Sequence, residues 1–260
     1  MAIVEYEKKG HVAIITINRP EKLNALSWEV HRGLRDAMLD YWKDDNLRAA
    51  ILTGAGDRAF SAGNDLGNMG DVIGISGDRP KAPVERVTAY HFADTLYKPF
   101  IAAIHGWCLG GGLEMALTCD IRITADNAKF GLPEMWRGIL PGTGMQLAPR
   151  AIPRAIAAEM VIMGRNIDAQ RAYEIGLVNA VVSRAKLMPT AMEWAEAVCE
   201  AAPLAVKASK ENMNRSAHLS LDDALEMQGS IRARTISGSE DQKEGVKAFL
   251  EKRKPDWKGR

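Results

Sequence analysis

Cysteine is scarce. Cys108, Cys119 and Cys199 are the three in the chain, an odd number with no CxxC pair. Neither a disulfide framework nor a zinc ribbon is indicated, and free thiols fit a reducing compartment. An excess of one charge is missing too: 34 Lys and Arg against 33 Asp and Glu leave +1. Overall charge therefore argues for neither a nucleic acid nor a membrane surface. No apolar run approaches the roughly 18 residues of a membrane helix. Residues 1–20 hold no long apolar stretch between a basic start and a small-residue cleavage site, so no signal peptide is expected and the expected address is cytoplasmic. The histidines His11, His31, His91, His105 and His218 form no HxxxH or HExxH pair, and no metal site is expected. GxSxG and GK[ST] are both missing, which speaks against a serine hydrolase and a P-loop enzyme. Lys252, Arg253, Lys254, Lys258 and Arg260 read as a solvated tail, not a nucleic-acid patch.

What is present is ordinary globular composition, 47% hydrophobic and 26% charged over 260 residues. That length suits one sizeable domain with an appended subdomain. Residues 12–18 read as a strand closed by Arg19-Pro20. Ser27 is placed to cap a helix over 28–42, with Val30, Leu34, Ala37, Met38 and Tyr41 at helical spacing. Buried strands follow at 49–53, 100–104 and 121–124. Residues 67–83, rich in Gly, Asp and Pro, read as a surface loop, and 84–96 as a helix. Helices are expected at 155–163, after Asp168, and at 187–201, 203–216, 220–237 and 239–253, with a short strand at 178–182. Strands alternating with helices predict an α/β architecture with crossover units. No repeat of 20–50 residues stands out. A boundary near Ala202-Pro203 divides a mixed core, 1–202, from an all-helical remainder, 203–260.

The chain is organised around residues 99–124. There a short apolar strand runs into Gly110, Gly111 and Gly112, followed by the helix formers Leu113, Glu114, Met115, Ala116 and Leu117. A glycine turn at a helix start leaves N–H groups pointing outward where the dipole favours negative charge. Glu114 lies about one turn in. An anion site beside a carboxylate suits a reaction that builds an oxyanion and moves a proton.

Four segments carry a resemblance: Asn18–Leu26 (NRPEKLNAL), Phe60–Leu66 (FSAGNDL), the glycine turn with Glu114, and Phe130–Glu134 (FGLPE) with Gly138–Gly142 (GILPG). In this order and spacing the chain resembles the crotonase (enoyl-CoA hydratase/isomerase) superfamily over nearly its whole length. The resemblance implies a spiral of ββα units followed by a helical region, assembled as trimers or hexamers, acting on acyl-CoA thioesters in fatty acid metabolism and β-oxidation. It implies that the thioester oxygen sits between the backbone N–H groups of Asn64 and Gly111. Ala62, Asp65, Leu66 and Gly67 then flank the thioester and pantetheine. Lys22 and Leu23 match the stretch that meets the adenine and phosphate end, and Lys252 reaches a phosphate from the C-terminal helix. Coenzyme A is part of the substrate, and no separate cofactor is implied. Glu114 and Glu134 fall where family hydratases hold a water between two glutamates. Keeping both favours hydration of a 2-enoyl-CoA over a Δ3-Δ2 isomerase, another acyl-CoA lyase of this fold, or a silent acyl-CoA-binding or RNA-binding scaffold.

Two departures from the family pattern stand out. Pro141–Arg150 reads PGTGMQLAPR, one residue shorter than the common PGxGGTQRLPR, which puts the start of the next helix in question. Trp136, two residues after Glu134, stands where smaller aliphatic residues are usual and is expected at the acyl end of the pocket, limiting chain length. Trp107 and Met69 are expected to pack in the core. Among the last helices, Ala224, Leu225, Met227, Ile231, Ala248 and Phe249 are apolar with little strand scaffold to cover them, so a partner subunit is the expected cover.

Overall fold

A computed structural model of the chain describes residues 2–67 and 96–260. Of the expected loop over 67–83 and helix over 84–96, only the ends, Gly67 and Leu96, are among these; Met69 and His91 lie outside them. In chain order the strands are β1 (Val4–Lys9), β2 (Val12–Ile17), β3 (Ala49–Gly54), β4 (Ala59–Ser61), β5 (Phe100–Ile104), β6 (Trp107–Leu109), β7 (Ile121–Ala125), β8 (Lys129–Gly131), β9 (Ile167–Asp168) and β10 (Ala180–Val182). The helices are α1 (Trp28–Lys43), α2 (Gly111–Thr118), α3 (Gly144–Ala151), α4 (Arg154–Met163), α5 (Ala169–Glu174), α6 (Leu187–Cys199), α7 (Pro203–Ser216), α8 (Leu221–Thr235) and α9 (Glu240–Leu250).

The larger sheet runs β1-β2-β3-β5-β7-β10. Only β1 pairs antiparallel, in a hairpin with β2; the other neighbours are parallel. Parallel strands covered on both faces need apolar side chains throughout, and all six residues of β3 are buried. Ala50 and Leu52 face a core shared with Val30, Leu34, Met38 and Tyr41 of α1. Ile51 faces the other side, with Ile101, Ile123 and Leu187, Ala191 and Ala195 of α6. Truncating such a side chain to Ala costs about 2–5 kcal/mol.

The smaller sheet, β4-β6-β8-β9, positions the site. β6 and β8 are parallel neighbours in which Leu109 pairs with Gly131. Just past their ends the Gly110 N–H donates to the Gly131 carbonyl at 2.9 Å. From β6 the chain enters α2, carrying Glu114; from β8 it enters a 3-10 turn, Glu134–Arg137. Both glutamates thus leave the carboxyl ends of adjacent parallel strands, where ligands of open α/β sheets collect.

The last helices are tied back to the strands. Lys210 of α7 donates to the Lys98 carbonyl at 3.1 Å and to Asp120 at 2.8 Å. Buried Lys98 in turn donates to the Tyr41 and Asp44 carbonyls at 3.0 and 2.7 Å, closing the C-terminus of α1 with a cation. Burial pulls the Lys98 ammonium down to about 8. No described helix is long and apolar enough to cross a membrane.

Candidate active site

One wall of the site is built by Asn24, which is fully buried with φ of 54°. Its side chain accepts from the Arg19 N–H at 2.9 Å and donates to the Ala55 and Ala59 carbonyls at 2.9 and 2.7 Å. Its own carbonyl accepts from the Ser61 hydroxyl at 2.8 Å. One side chain therefore ties the NRPEKLNAL segment to the loop after β3 and to β4, and satisfies groups that burial would otherwise penalise. Arg19 adds an ion pair to Asp65 at 3.1 Å. Leu26 then bridges Asn64 in parallel register: the Leu26 N–H donates to Gly63 at 2.9 Å and the Asp65 N–H to Leu26 at 3.0 Å. In such a bridge the bonds go to the residues flanking Asn64, so the Asn64 amide is directed to the opposite side.

The start of α2 lies against the neighbouring Gly63. A Cβ built on Gly63 would stand 3.1 Å from the Gly111 nitrogen, so the two loops touch. Gly111 opens the helix, where the backbone N–H has no partner within the helix. Gly110, with φ of 52° and ψ of −126°, occupies backbone space open only to glycine. A Cβ there would come within 2.6 Å of Glu134 Oε1.

Glu114 is 3% exposed, and its Oε1 accepts from the Gly144 N–H at 2.8 Å. Gly144 opens α3, so that helix points its N-terminal dipole at the carboxylate. Burial, reinforced by the charge of Glu134, nevertheless pushes Glu114 up to about 7. Burial also raises Glu134, opposed by the nearby Arg137 charge. Glu134 Oε2 is buried and has no hydrogen-bond partner among the described residues. Both carboxylates line one cavity of about 540 Å³, with Leu23, Ala62, Asn64, Leu66, Trp107 and Leu140 among its walls. Two interacting carboxyl groups with raised pKa values can hold a proton near neutrality and exchange it with something between them. Among the described residues no group of three or more His, Cys, Asp or Glu is gathered to hold a metal ion.

The sequence model of the Enoyl-CoA hydratase/isomerase family matches residues 7–260. The chain belongs to this family. It is 41% identical to the short-chain-enoyl-CoA hydratase of Clostridium acetobutylicum, over 95% of this chain and 94% of that protein. It is 39% identical to the (E)-benzylidenesuccinyl-CoA hydratase of Thauera aromatica, over 98% of this chain and 99% of that one. The crystal structure of enoyl-CoA hydratase EchA1 from Mycobacterium marinum superposes with a TM-score of 0.91 at 38% identity, covering 100% of both chains. The expected crotonase-type α/β fold is therefore the one observed.

Of the residues matched to the family's site, Leu23, Ala62, Asn64, Leu66, Glu114 and Glu134 line the cavity together. Gly111 adjoins it through Gly63. Asp65 is engaged with Arg19, and Gly67 is exposed beside Leu66. Lys22 lies on the 3-10 turn before Leu23, outside the lining. Lys252 follows α9, exposed, with φ of 53°, and does not line the cavity within this chain.

Two aromatic expectations are corrected. Trp136 is 73% exposed, and its indole lies over Gly164 at the end of α4, where a Cβ would collide with Nε1. Trp136 is not among the residues that line the cavity with Glu134. Trp107, expected in the core, is 40% exposed and lines the cavity. In β6 the alternation sends Cys108 inward, leaving residues 107 and 109 on the open face. Arg137 and Asn166 also line the cavity and were not singled out from the sequence; Ile139, Leu140 and Gly142, from the GILPG segment, line it too, though the sequence assigned them no role. The shortened PGTGMQLAPR segment keeps its helix, Gly144–Ala151, and puts its first residue on Glu114.

Proposed function

We propose that the chain is an enoyl-CoA hydratase, adding water reversibly and syn across the double bond of a 2-enoyl-CoA to give a 3-hydroxyacyl-CoA. The observation that carries this reading is the pair Glu114 and Glu134 in one cavity, both raised in pKa by burial. The thioester oxygen lies between the backbone amides of Asn64 and Gly111, and the negative charge that develops on it is stabilised by those donors and by the α2 dipole. One carboxylate takes a proton from the water while the other carboxyl delivers one to C2, so the pair is active when singly protonated. Lys22, Leu23, Ala62, Asp65, Leu66 and Gly67 flank coenzyme A, which is part of the substrate, and Lys252 serves a phosphate once subunits assemble. A trimer or hexamer is supported by the exposed Leu225, Val246, Phe249 and Leu250 on α8 and α9. Ile231 and Ala248, also expected at a contact, are buried within the chain.

Relatives named short-chain-enoyl-CoA hydratase and crotonyl-CoA hydratase support a short acyl chain. Crotonyl-CoA is the test. Its ultraviolet enoyl absorbance should fall when the protein is added. No change with C4 to C10 2-enoyl-CoAs, alongside clear isomerisation of 3-enoyl-CoAs, refutes the reading.

A further inference from the structure

The cavity lining divides by chain segment. Leu23, Ala62, Gly63, Asn64 and Leu66 form one part; Pro133, Glu134, Arg137, Ile139, Leu140, Gly142 and Asn166 belong to another. The second part holds a cation that the hydration chemistry does not use. Arg137 donates Nη1 to the Pro133 carbonyl at 3.2 Å, along its own turn. Among the described residues no carboxylate stands within ion-pair distance of it, although its charge is felt at Glu134. In the same lining Asn166 presses its carboxamide so closely over Gly131 that a Cβ there would lie 1.9 Å from Oδ1. A guanidinium fork and an amide in the lining of one cavity offer donors that a purely hydrocarbon acyl chain leaves unpaired.

Resting on the hydratase reading, we infer that the acyl group this site selects carries a carboxylate, held by Arg137 with Asn166 beside it. The substrate class is the coenzyme A monothioester of an unsaturated dicarboxylic acid. A carboxylate matches the guanidinium by two parallel N–H···O bonds. Ile139 and Leu140 supply apolar contact for the methylenes between the thioester and that carboxylate.

The test compares two saturated ligands of equal carbon number, glutaryl-CoA and valeryl-CoA, by calorimetric titration of the intact protein. Wild type should bind glutaryl-CoA about tenfold more tightly, or better. Arg137→Gln should abolish that preference and Arg137→Lys should keep part of it. Equal binding by wild type, or a preference that survives Arg137→Gln, overturns the inference. So does a variant that shifts the pH dependence of both ligands equally and leaves their ratio alone, because Arg137 then serves only Glu134. Hydration of glutaconyl-CoA and crotonyl-CoA in the same series separates the two readings. A binding preference lost in Arg137→Gln, with neither substrate hydrated, supports the recognition and refutes the hydratase. Hydration of both with a rate ratio indifferent to residue 137 refutes the recognition alone.

Discussion

Replacing Glu114 by Gln should inactivate the protein and at the same time stabilise it, by an amount that depends on pH. Burial of Glu114, with the Glu134 charge adding to it, lifts the carboxyl from 4.5 to about 7. At 1.36 kcal/mol per pKa unit, that rise disfavours the charged folded form by about 3 kcal/mol. The sign follows from proton binding. A carboxyl that holds its proton more tightly when folded lends stability in full below about 4.5 and loses it as pH rises through about 7. Near pH 8 both states are ionised and the native chain carries the whole cost. Glutamine has no charge to desolvate and keeps an oxygen for the Gly144 N–H, now 2.8 Å from Oε1. The stronger bond that the charged carboxylate makes is already contained in the net rise to about 7. The net gain for Glu114→Gln is thus about 3 kcal/mol near pH 8 and about 1 kcal/mol near pH 5. Scanning calorimetry reads this as a Tm gap between variant and wild type about 4–8 °C larger at the higher pH. In the same preparation kcat should fall by about 10² or more. A gap equal at the two pH values, or a variant less stable than wild type near pH 8, refutes the argument that desolvation of this carboxylate is the strain in the site.

Further outcomes follow from the same geometry. Gly110→Ala puts a methyl group 2.6 Å from Glu134 Oε1 on glycine-only backbone; kcat should drop by about 10² with a Tm loss reflecting about 1–3 kcal/mol, and near-normal kinetics would contradict the close approach. The pH profile of kcat/KM should be bell-shaped, its alkaline limb near 7 as the pair loses its last proton; a rate rising monotonically past pH 8 would contradict a shared proton. Trp136→Leu should leave the C10 to C4 rate ratio unchanged, because the indole lies over Gly164 outside the cavity; a severalfold rise in that ratio would return Trp136 to the pocket. Sedimentation should show a species larger than 28.4 kDa at micromolar concentration; a monomer would leave Val246, Phe249 and Leu250 without their expected cover.

Much of this was legible in the sequence because burial writes itself as pattern. β2, β3 and β5 are continuous apolar runs, since a parallel sheet covered on both faces tolerates nothing else. The α1 face and its Ser27 cap follow from spacing and from the hydroxyl that accepts the Val30 N–H. β1 was not legible: VEYEKK is an edge strand, mostly exposed, and its pairing with β2 is a tertiary fact. β4 and β8, three residues each, are too short to show a period. Within the site, Glu114 and Glu134 stood out as a pair only through the family resemblance, for nothing in their spacing shows that β6 and β8 are neighbours. Asn24 was invisible as the residue that stitches three segments, because its partners lie up to 37 positions away. Trp136 misled because two residues of sequence separation suggest proximity, whereas the 3-10 turn sends its side chain elsewhere.

Isotopes from solvent report whether water is added to carbon. Crotonyl-CoA is incubated with the protein in deuterated, oxygen-18-enriched water, and the product is read by mass spectrometry and proton NMR. Syn hydration yields 3-hydroxybutyryl-CoA with solvent oxygen at C3 and one deuterium at C2 on the same face. Glu114→Gln and Glu134→Gln should each suppress both labels together. Deuterium entering the chain with no solvent oxygen at C3, and with the double bond moved, would show proton transfer without hydration and contradict the hydratase reading.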